Sequence, residues 1–472
     1  VNRCAIIVLV AWLAGCARFD PQPISPAHNA AQLEQRRLDD AGLREFLERT
    51  VPNELETWPP KAWDFKTLTL AAYYFHPSLA VARAQWSAAQ AGVRTAGGRP
   101  NPTLNLSPGY DFSAANGLSP WIAFFSVDIP VETAGKRGRR IAKAEHLSES
   151  ARLNTVTVAW QVRSHVRGSL LDFTLADGRA ALLENQIRVQ EQIVNLLEQR
   201  LAVGAISLPE LTVARIGLNK TRIDLGDARS KRADARARLA EAVGVGDRAL
   251  ADVRLSPEFE EDSADQLTSA EERRIGLQGR SDILSALAEY AAAEAELQVQ
   301  IAKQYPDVHL SPGYQYDQGD NKWSLGVTFE LPVLNQNQGP IAEARARRVE
   351  SATRFTELQA RVIGEIDRAG AAYGAAREQT AATDALMAAA QQQERSAEAQ
   401  LKAGAADPLD RLTIQLELGV AALAQLDGRT KLRQSIGALE DALQRPIDAV
   451  REAGSMATLI NTVQNPPGRA DK

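Results

Sequence analysis

The stretch "HLSPGYQYDQGDNKWSLGVTFELPV" occupies residues 309–333, and "NLSPGYDFSAANGLSPWIAFFSVDIPV" occupies residues 105–131. Both contain Leu-Ser-Pro-Gly-Tyr, in a chain otherwise rich in Ala, Leu, Gln, Glu and Arg. Read by alternation, Leu104, Leu106, Pro108, Tyr110 and Phe112 share one face of a first strand. Their counterparts are Val308, Leu310, Pro312, Tyr314 and Tyr316. The other face carries Asn105, Ser107, Gly109 and Asp111, matched by His309, Ser311, Gly313 and Gln315. In the second strand, Trp121, Ala123, Phe125, Val127 and Ile129 match Trp323, Leu325, Val327, Phe329 and Leu331. Ser126 and Asp128 lie opposite them, matched by Thr328 and Glu330, and Phe124 breaks the polar face where the second copy has Gly326.

Each run has about ten residues, the length of a tilted transmembrane strand. Tyr110, Trp121, Tyr314 and Trp323 sit toward the polar turns, where an aromatic girdle belongs. A soluble hairpin with one buried face would show the same alternation; the N-terminal segment and the very long helices favour a membrane. Four strands cannot close a barrel, and lipid does not tolerate an open sheet edge. Several chains must therefore share one barrel, and three would give twelve strands. Pro108 and Pro312 fall inside strands that need partners on both sides, so a bulge or local break is expected there, eased by Gly109 and Gly313.

The duplication runs the length of the chain. Pro102 matches Pro306, Trp121 matches Trp323, and "LAVG" at 201–204 matches "LKAG" at 401–404, at offsets of 204, 202 and 200. Residues 1–15 read as a signal peptide, 16–62 as a leader, 63–245 as the first repeat, 246–275 as an acidic linker, 276–445 as the second repeat and 446–472 as a tail. In the first repeat a helix precedes a hairpin at 102–130, a long helix at 138–203 and a return helix at 207–243. The second repeat places these at 306–332, 339–403 and 408–444.

The long helix of the first copy shows Leu183, Ile187, Gln190, Val194, Leu197 and Leu201 on one seam and Leu182, Gln186, Val189, Ile193 and Leu196 on another. The return helix has Leu211, Leu218, Leu225 and Leu239 on a seven-residue row that Arg232 interrupts, beside Ala214, Thr221, Ala228, Ala235 and Ala242. A period near 3.5 means coiled-coil packing, and two seams mean neighbours on two sides, as in a closed ring of helices. At the turns, Gly204 and Gly404 end the outgoing helices. Ser207 with Glu210 forms a capping box, and Asp407 caps a helix that has Pro408 in its first position.

The 472 residues carry a net charge of −5, which argues against a nucleic-acid partner. Cys4 and Cys16 exclude a disulfide framework in the body. The start, "VNRCAIIVLVAWLAGC", has a basic residue and an apolar run too short to span a bilayer, which suits a signal peptide. Its end resembles the bacterial lipobox, which makes Cys16 the expected lipidated residue. Ala17 and the polar tether "ARFDPQPISPAH" resemble the signal for the outer membrane.

The order of these features, repeated twice, resembles the TolC family of outer-membrane efflux ducts across nearly the whole mature length. Its carriers are the helix openings "HPSLAVARAQ" and "RSDILSALAE", the strand ends "VDIPV" and "FELPV", and the turns "RLAVG" and "LKAG". The resemblance implies a mainly α fold with a membrane β-barrel portion: tandem helical hairpins forming an α-barrel tunnel, plus four strands per chain in a shared trimeric barrel of twelve. It further implies a homotrimer in the outer membrane of a Gram-negative bacterium with a large periplasmic portion. Its expected partners are a periplasmic adaptor, an inner-membrane pump of the RND type, and outer-membrane lipid.

No catalytic constellation and no cofactor motif is visible. The five histidines, His28, His76, His146, His165 and His309, are scattered and read as structural or solvated. The run "GKRGRR" at 135–140 is read as meeting lipid phosphates or simply solvated. Function rests on conduction. Asp111, Asp128 and Glu330 are the expected lumen-facing carboxylates, the last two forming a ring that favours cations. The tip residues Gly204, Ala205, Ser207, Gly404, Ala405, Asp407 and Asp410 are, by the resemblance, the adaptor contact, with Asp407 and Asp410 narrowing the aperture. A protein-secretion duct and a non-conducting lipid-anchored scaffold remain as alternatives.

Overall fold

The computed structural model describes residues 19–446 apart from 52–56, 116, 252 and 257–268. Cys16, the segment 1–15 and the tail beyond 446 lie outside the described residues. The leader holds α1 (Pro26–Glu34) and α2 (Ala41–Thr50), and α3 (Phe65–Phe75) opens the first repeat. The first repeat then runs α4 (Pro77–Ala96), β1 (Thr103–Tyr110), β2 (Trp121–Val131), α5 (Lys136–Ala202) and α6 (Leu208–Val243). After α7 (Ser269–Gly279), the second repeats the order as α8 (Ser281–Ala302), β3 (Val308–Asp317), β4 (Asp320–Phe329), α9 (Gln338–Lys402) and α10 (Pro408–Leu443).

Helix α5 has 67 residues and α9 has 65, so each is about 100 Å long at ~1.5 Å per residue. Two seams on α5 meet two sets of neighbours. Toward the strands, α5 lies between α4 and α8; toward the tips, it lies between α6 and α10, with α9 beyond α8 and α10. The short helices stack end to end beside the long ones. At one joint, Gly244 takes φ +83 so close to His76 that a Cβ would lie 2.9 Å from its Cα. At the other, Gln444 Oε1 accepts from Ser281 N at 2.9 Å and Oγ at 2.7 Å. Arg36 of the leader donates to the carbonyls of Phe75 (2.7 Å) and Gly244 (2.8 Å), while Arg280 donates to that of Ala442 (2.8 Å). Each arginine thus satisfies carbonyls that a helix end leaves open.

Leu211, Leu218, Leu225 and Leu239 of α6 are buried, as are Thr221, Ala228, Ala235 and Ala242, so both rows of the return helix pack inward. Outside this seam stand ion pairs seven residues apart on each helix: Arg215–Glu198 (2.7 Å), Arg222–Glu191 (2.8 Å) and Arg229–Glu184 (2.8 Å). Arg232, which interrupts the leucine row, pairs with Asp177 at 2.9 Å. Exposed pairs of this kind add little stability, ~0.2–1 kcal/mol each, but their regular spacing fixes the register.

Where α5 crosses the end of α10, Glu440 is 1% exposed and its Oε2 takes a guanidinium N–H from Arg163 at 2.7 Å. Arg167 pairs with the same carboxylate. Both guanidinium groups also lie over the ring of Phe65, at 4.9 and 4.8 Å. This cluster joins the first repeat to the second. Leu38, Leu43, Phe46 and Leu47 of the leader pack into the same region against α3 and the end of α6.

The four strands form one antiparallel sheet in sequence order. Its pairing shows no bulge, contrary to one of the two expected outcomes at the prolines. Pro108 pairs with Ala123 and Pro312 with Leu325 in unbroken register. The break appears on the other side of Pro312: β2–β3 pairing lapses between Ser126↔Gly313 and Ile129↔Leu310 and resumes without a skip. A missing N–H at Pro312, facing Val127, removes those two pairs and leaves the register intact. Pro108 occupies the matching place in β1, so its missing N–H faces away from β2 and the β1–β2 ladder stays whole. The β3–β4 turn has only two residues, Gln318 (φ +51) and Gly319 (φ +112), the I′ geometry that suits strand twist.

Candidate functional site

The strand faces sort by chemistry. On the apolar face Leu104, Leu106, Trp121, Trp323, Leu325 and Leu331 are all more than half exposed. A soluble sheet would bury this side; here it is bare, as lipid requires, with β1 and β4 open on both faces. Tyr110 stands opposite Trp121 and Tyr314 opposite Trp323, each pair with ring centroids 5.0 Å apart. Each hairpin therefore carries a cross-strand aromatic contact near its turn, edge-to-face in the first and tilted in the second. Among the described residues no helix is long and apolar enough to cross a membrane.

The polar face holds Asp128, whose Oδ2 lies 2.9 Å from His309 Nδ1 and whose Oδ1 accepts from Ser311 Oγ at 3.0 Å. The other two carboxylates do not join it. Asp111 lies past the end of β1, where Oδ1 accepts from Ser113 N at 2.8 Å and Oδ2 from Gln318. It braces the two turns against each other. Glu330 lies one residue beyond the end of β4 and is exposed. The tight β3–β4 turn lets β4 start at Asp320, three residues before Trp323, and its ladder ends at Phe329. Among the described residues, no group of three or more His, Cys, Asp or Glu side chains is placed to hold a metal ion.

The basic run below the sheet differs from its expected role. Lys136 is buried and pairs with Asp307 at 2.8 Å. Arg137 Nε donates to the Gly97 carbonyl at 2.7 Å, Arg139 to that of Gln298 at 2.9 Å, and Arg140 to Glu132 Oε2 at 3.1 Å. The four cations clamp the strand-to-helix joint onto α4, α8 and β3. In the second copy Asn337 does similar work uncharged, at φ +59, with Nδ2 donating to the Gln300 carbonyl at 2.7 Å.

At the other end, the tips share one construction. Gly204 and Gly404 both have φ +71. Ala205 N reaches the Arg200 carbonyl at 2.9 Å, and Ala405 N that of Gln400 at 2.9 Å, the long bond of a Schellman stop. In the first tip Glu210 Oε1 accepts from Ser207 N (3.1 Å) and Oγ (2.6 Å), which holds its carboxyl below the usual range. In the second, Asp407 accepts from Leu409 N at 2.9 Å and from Arg200 Nη2 at 2.7 Å. The Arg200 hydrogen bond, then the Leu409 N–H, lower its pKa. Asp407 is thus a cap and a cross-link between the two hairpins, while Asp410 is exposed. Arg200 was not legible as its partner, because 207 residues separate them.

A model of the outer membrane efflux protein family matches residues 73–245 and 275–444, both repeats. The chain belongs to the outer membrane efflux protein family. The family and the structures it resembles are channel proteins, not enzymes. Among curated proteins, it is 25% identical over 225 residues to the cobalt-zinc-cadmium resistance protein CzcC of Cupriavidus metallidurans. That match covers 46% of this chain and 52% of CzcC, so it spans about half of the relative's length. Among solved structures, the outer membrane protein VceC of Vibrio cholerae superposes with a TM-score of 0.66 at 21% identity, covering 81% of this chain and 96% of VceC. CusC gives 0.64 at 20% identity, covering 84% and 95%. These likenesses establish the fold of an efflux-family channel.

Proposed function

We propose that three copies of this efflux-family chain form a passive duct through the outer membrane, fed by a periplasmic adaptor and an inner-membrane pump. The observation that carries this is a pair of open edges. The sheet ends in β1 and β4, and the row of long helices ends in α6 and α9. Copies joined edge to edge close the barrel and the tunnel at once. The cargo class we favour is divalent metal cations, supported by the likeness to CzcC and by the acidic side chain Asp128 on the polar strand face. A strain lacking this protein should become sensitive to cobalt, zinc or cadmium and regain resistance on complementation. Sensitivity to hydrophobic drugs alone would name the drug class, and a defect in secreting a protein the secretion class.

Within that duct, Asp128 and Glu330 are the proposed source of cation preference. In planar bilayers, the Asp128→Asn, Glu330→Gln double variant should lose most of the cation-over-anion selectivity; unchanged selectivity would remove both residues from that role. The tips are the proposed adaptor contact. A glutamate at Gly204 or Gly404 opposes the positive φ and should abolish export while trimer yield stays normal. Full export by such variants would count against docking there. Cys16 is the proposed lipid anchor: palmitate labelling should be present in the native chain and absent from Cys16→Ala.

A further inference from the structure

His309 has a chemistry that its isolation in the sequence conceals. Its Nδ1 lies 2.9 Å from Asp128 Oδ2, across the β2–β3 interval where Pro312 interrupts the ladder. An ionised carboxylate only accepts, so Nδ1 must carry the hydrogen of this bond. The ring is thereby fixed in one tautomer, with its lone pair on Nε2. Asp128 is itself held by Ser311 Oγ at 3.0 Å, and the imidazole side chain remains 41% exposed. A carboxylate behind Nδ1 is the arrangement that orients a metal-binding imidazole and raises its basicity.

We propose that His309 Nε2 is a contact for borderline divalent cations of the zinc class on the pore wall, with Asp128 as its positioning residue. The inference rests on the reading that the polar strand face lines the pore. Imidazole selects zinc, copper and nickel over magnesium and calcium. The local charge suits a cation: Asp128 lies beside the ring, and Asp307, just before β3 and two residues from His309, is bonded to Lys136. Each subunit offers a single imidazole and no chelating group, so the contact is weak. A conduit needs that, because the ion must leave as readily as it enters.

The test is the current through the full assembly in a planar bilayer, with zinc or magnesium chloride added at equal concentration. Zinc should block the native duct more strongly than magnesium. His309→Gln should erase the difference, and Asp128→Asn should weaken zinc block by about tenfold while leaving an excess over magnesium. Zinc block equal to the native level in His309→Gln overturns the proposal and leaves the conduit standing. Should that variant not assemble, diethyl pyrocarbonate applied to the native duct modifies the imidazole directly; an undiminished zinc block then overturns it as well. A native assembly that passes no current overturns the conduit, and this inference with it.

Discussion

Replacing Glu440 by alanine should cost about 3–5 kcal/mol and leave little folded protein, the largest single-residue effect expected outside the tips. The reason is charge. Arg163 and Arg167 are both nearly buried and converge on this one carboxylate, itself 1% exposed. Phe65 contributes cation–π attraction from its ring but cannot neutralise two guanidinium groups. Removing the carboxylate strands two charges where water does not reach. The control is to replace all three residues by methionine. An apolar trio of similar size should recover much of the loss, since a buried ion cluster is seldom more stable than a well-packed apolar one. Thermal or urea unfolding of the purified protein reads both. If Glu440→Ala unfolds with the native midpoint, the cluster is not what joins the two repeats.

The second large effect concerns assembly. Substituting Ile216 and Ile223 by arginine should abolish the trimer while leaving the single chain helical. Both residues are more than 60% exposed on α6. Their repeat counterparts, Leu416 and Leu423 on α10, pack against the buried leucines of α5 and its neighbours. The duplicated sequence supplies the same apolar face twice, and only one copy has its partner within the chain. In the proposed trimer, the partner of the other would be the open flank of α9 in the next subunit. Two arginines there would lose that burial and place unpaired charge in the seam. Cross-linking and light scattering give the subunit count, and a native trimer from the double variant would place the subunit seam elsewhere.

Much of this architecture was legible because it is repetitive. Alternation separated Leu104 and Trp323 from Asp128, a seven-residue row exposed the seam of α6, and Gly204 and Gly404 marked the helix stops. What escaped was long-range or depended on a single residue. Glu440 looks like any polar position on an amphipathic helix, since the arginines that need it are 277 and 273 residues away. Glu330 was expected inside the second strand and stands one residue beyond it, because the ladder ends at Val308↔Phe329. The basic run at 136–140 was read as surface chemistry, yet Arg137 and Arg139 donate to backbone carbonyls, which no side-chain pattern reveals, and Lys136 pairs with Asp307 from a distant strand start. His309 was set aside for being alone in sequence; its neighbour Asp128 lies on another strand.

The three ion pairs along α5 and α6 acquire a different meaning when the second hairpin is laid over the first. Only Asp384–Arg429, at 3.2 Å, survives there as the counterpart of Glu184–Arg229. Nearer the tip the cations have become Gln415 and Ala422, and Glu398 turns to Lys402 on its own helix at 2.8 Å. One half of the duplication is a strut, riveted to its end. The other is laced mainly by amides, Gln425 to Asp384 at 2.7 Å and Gln393 to Glu417 at 3.2 Å, and is tied at its tip to the first hairpin by Arg200–Asp407. A sequence that doubled to make two equal walls has thus kept one stitched by full charges and re-stitched the other largely with neutral amides.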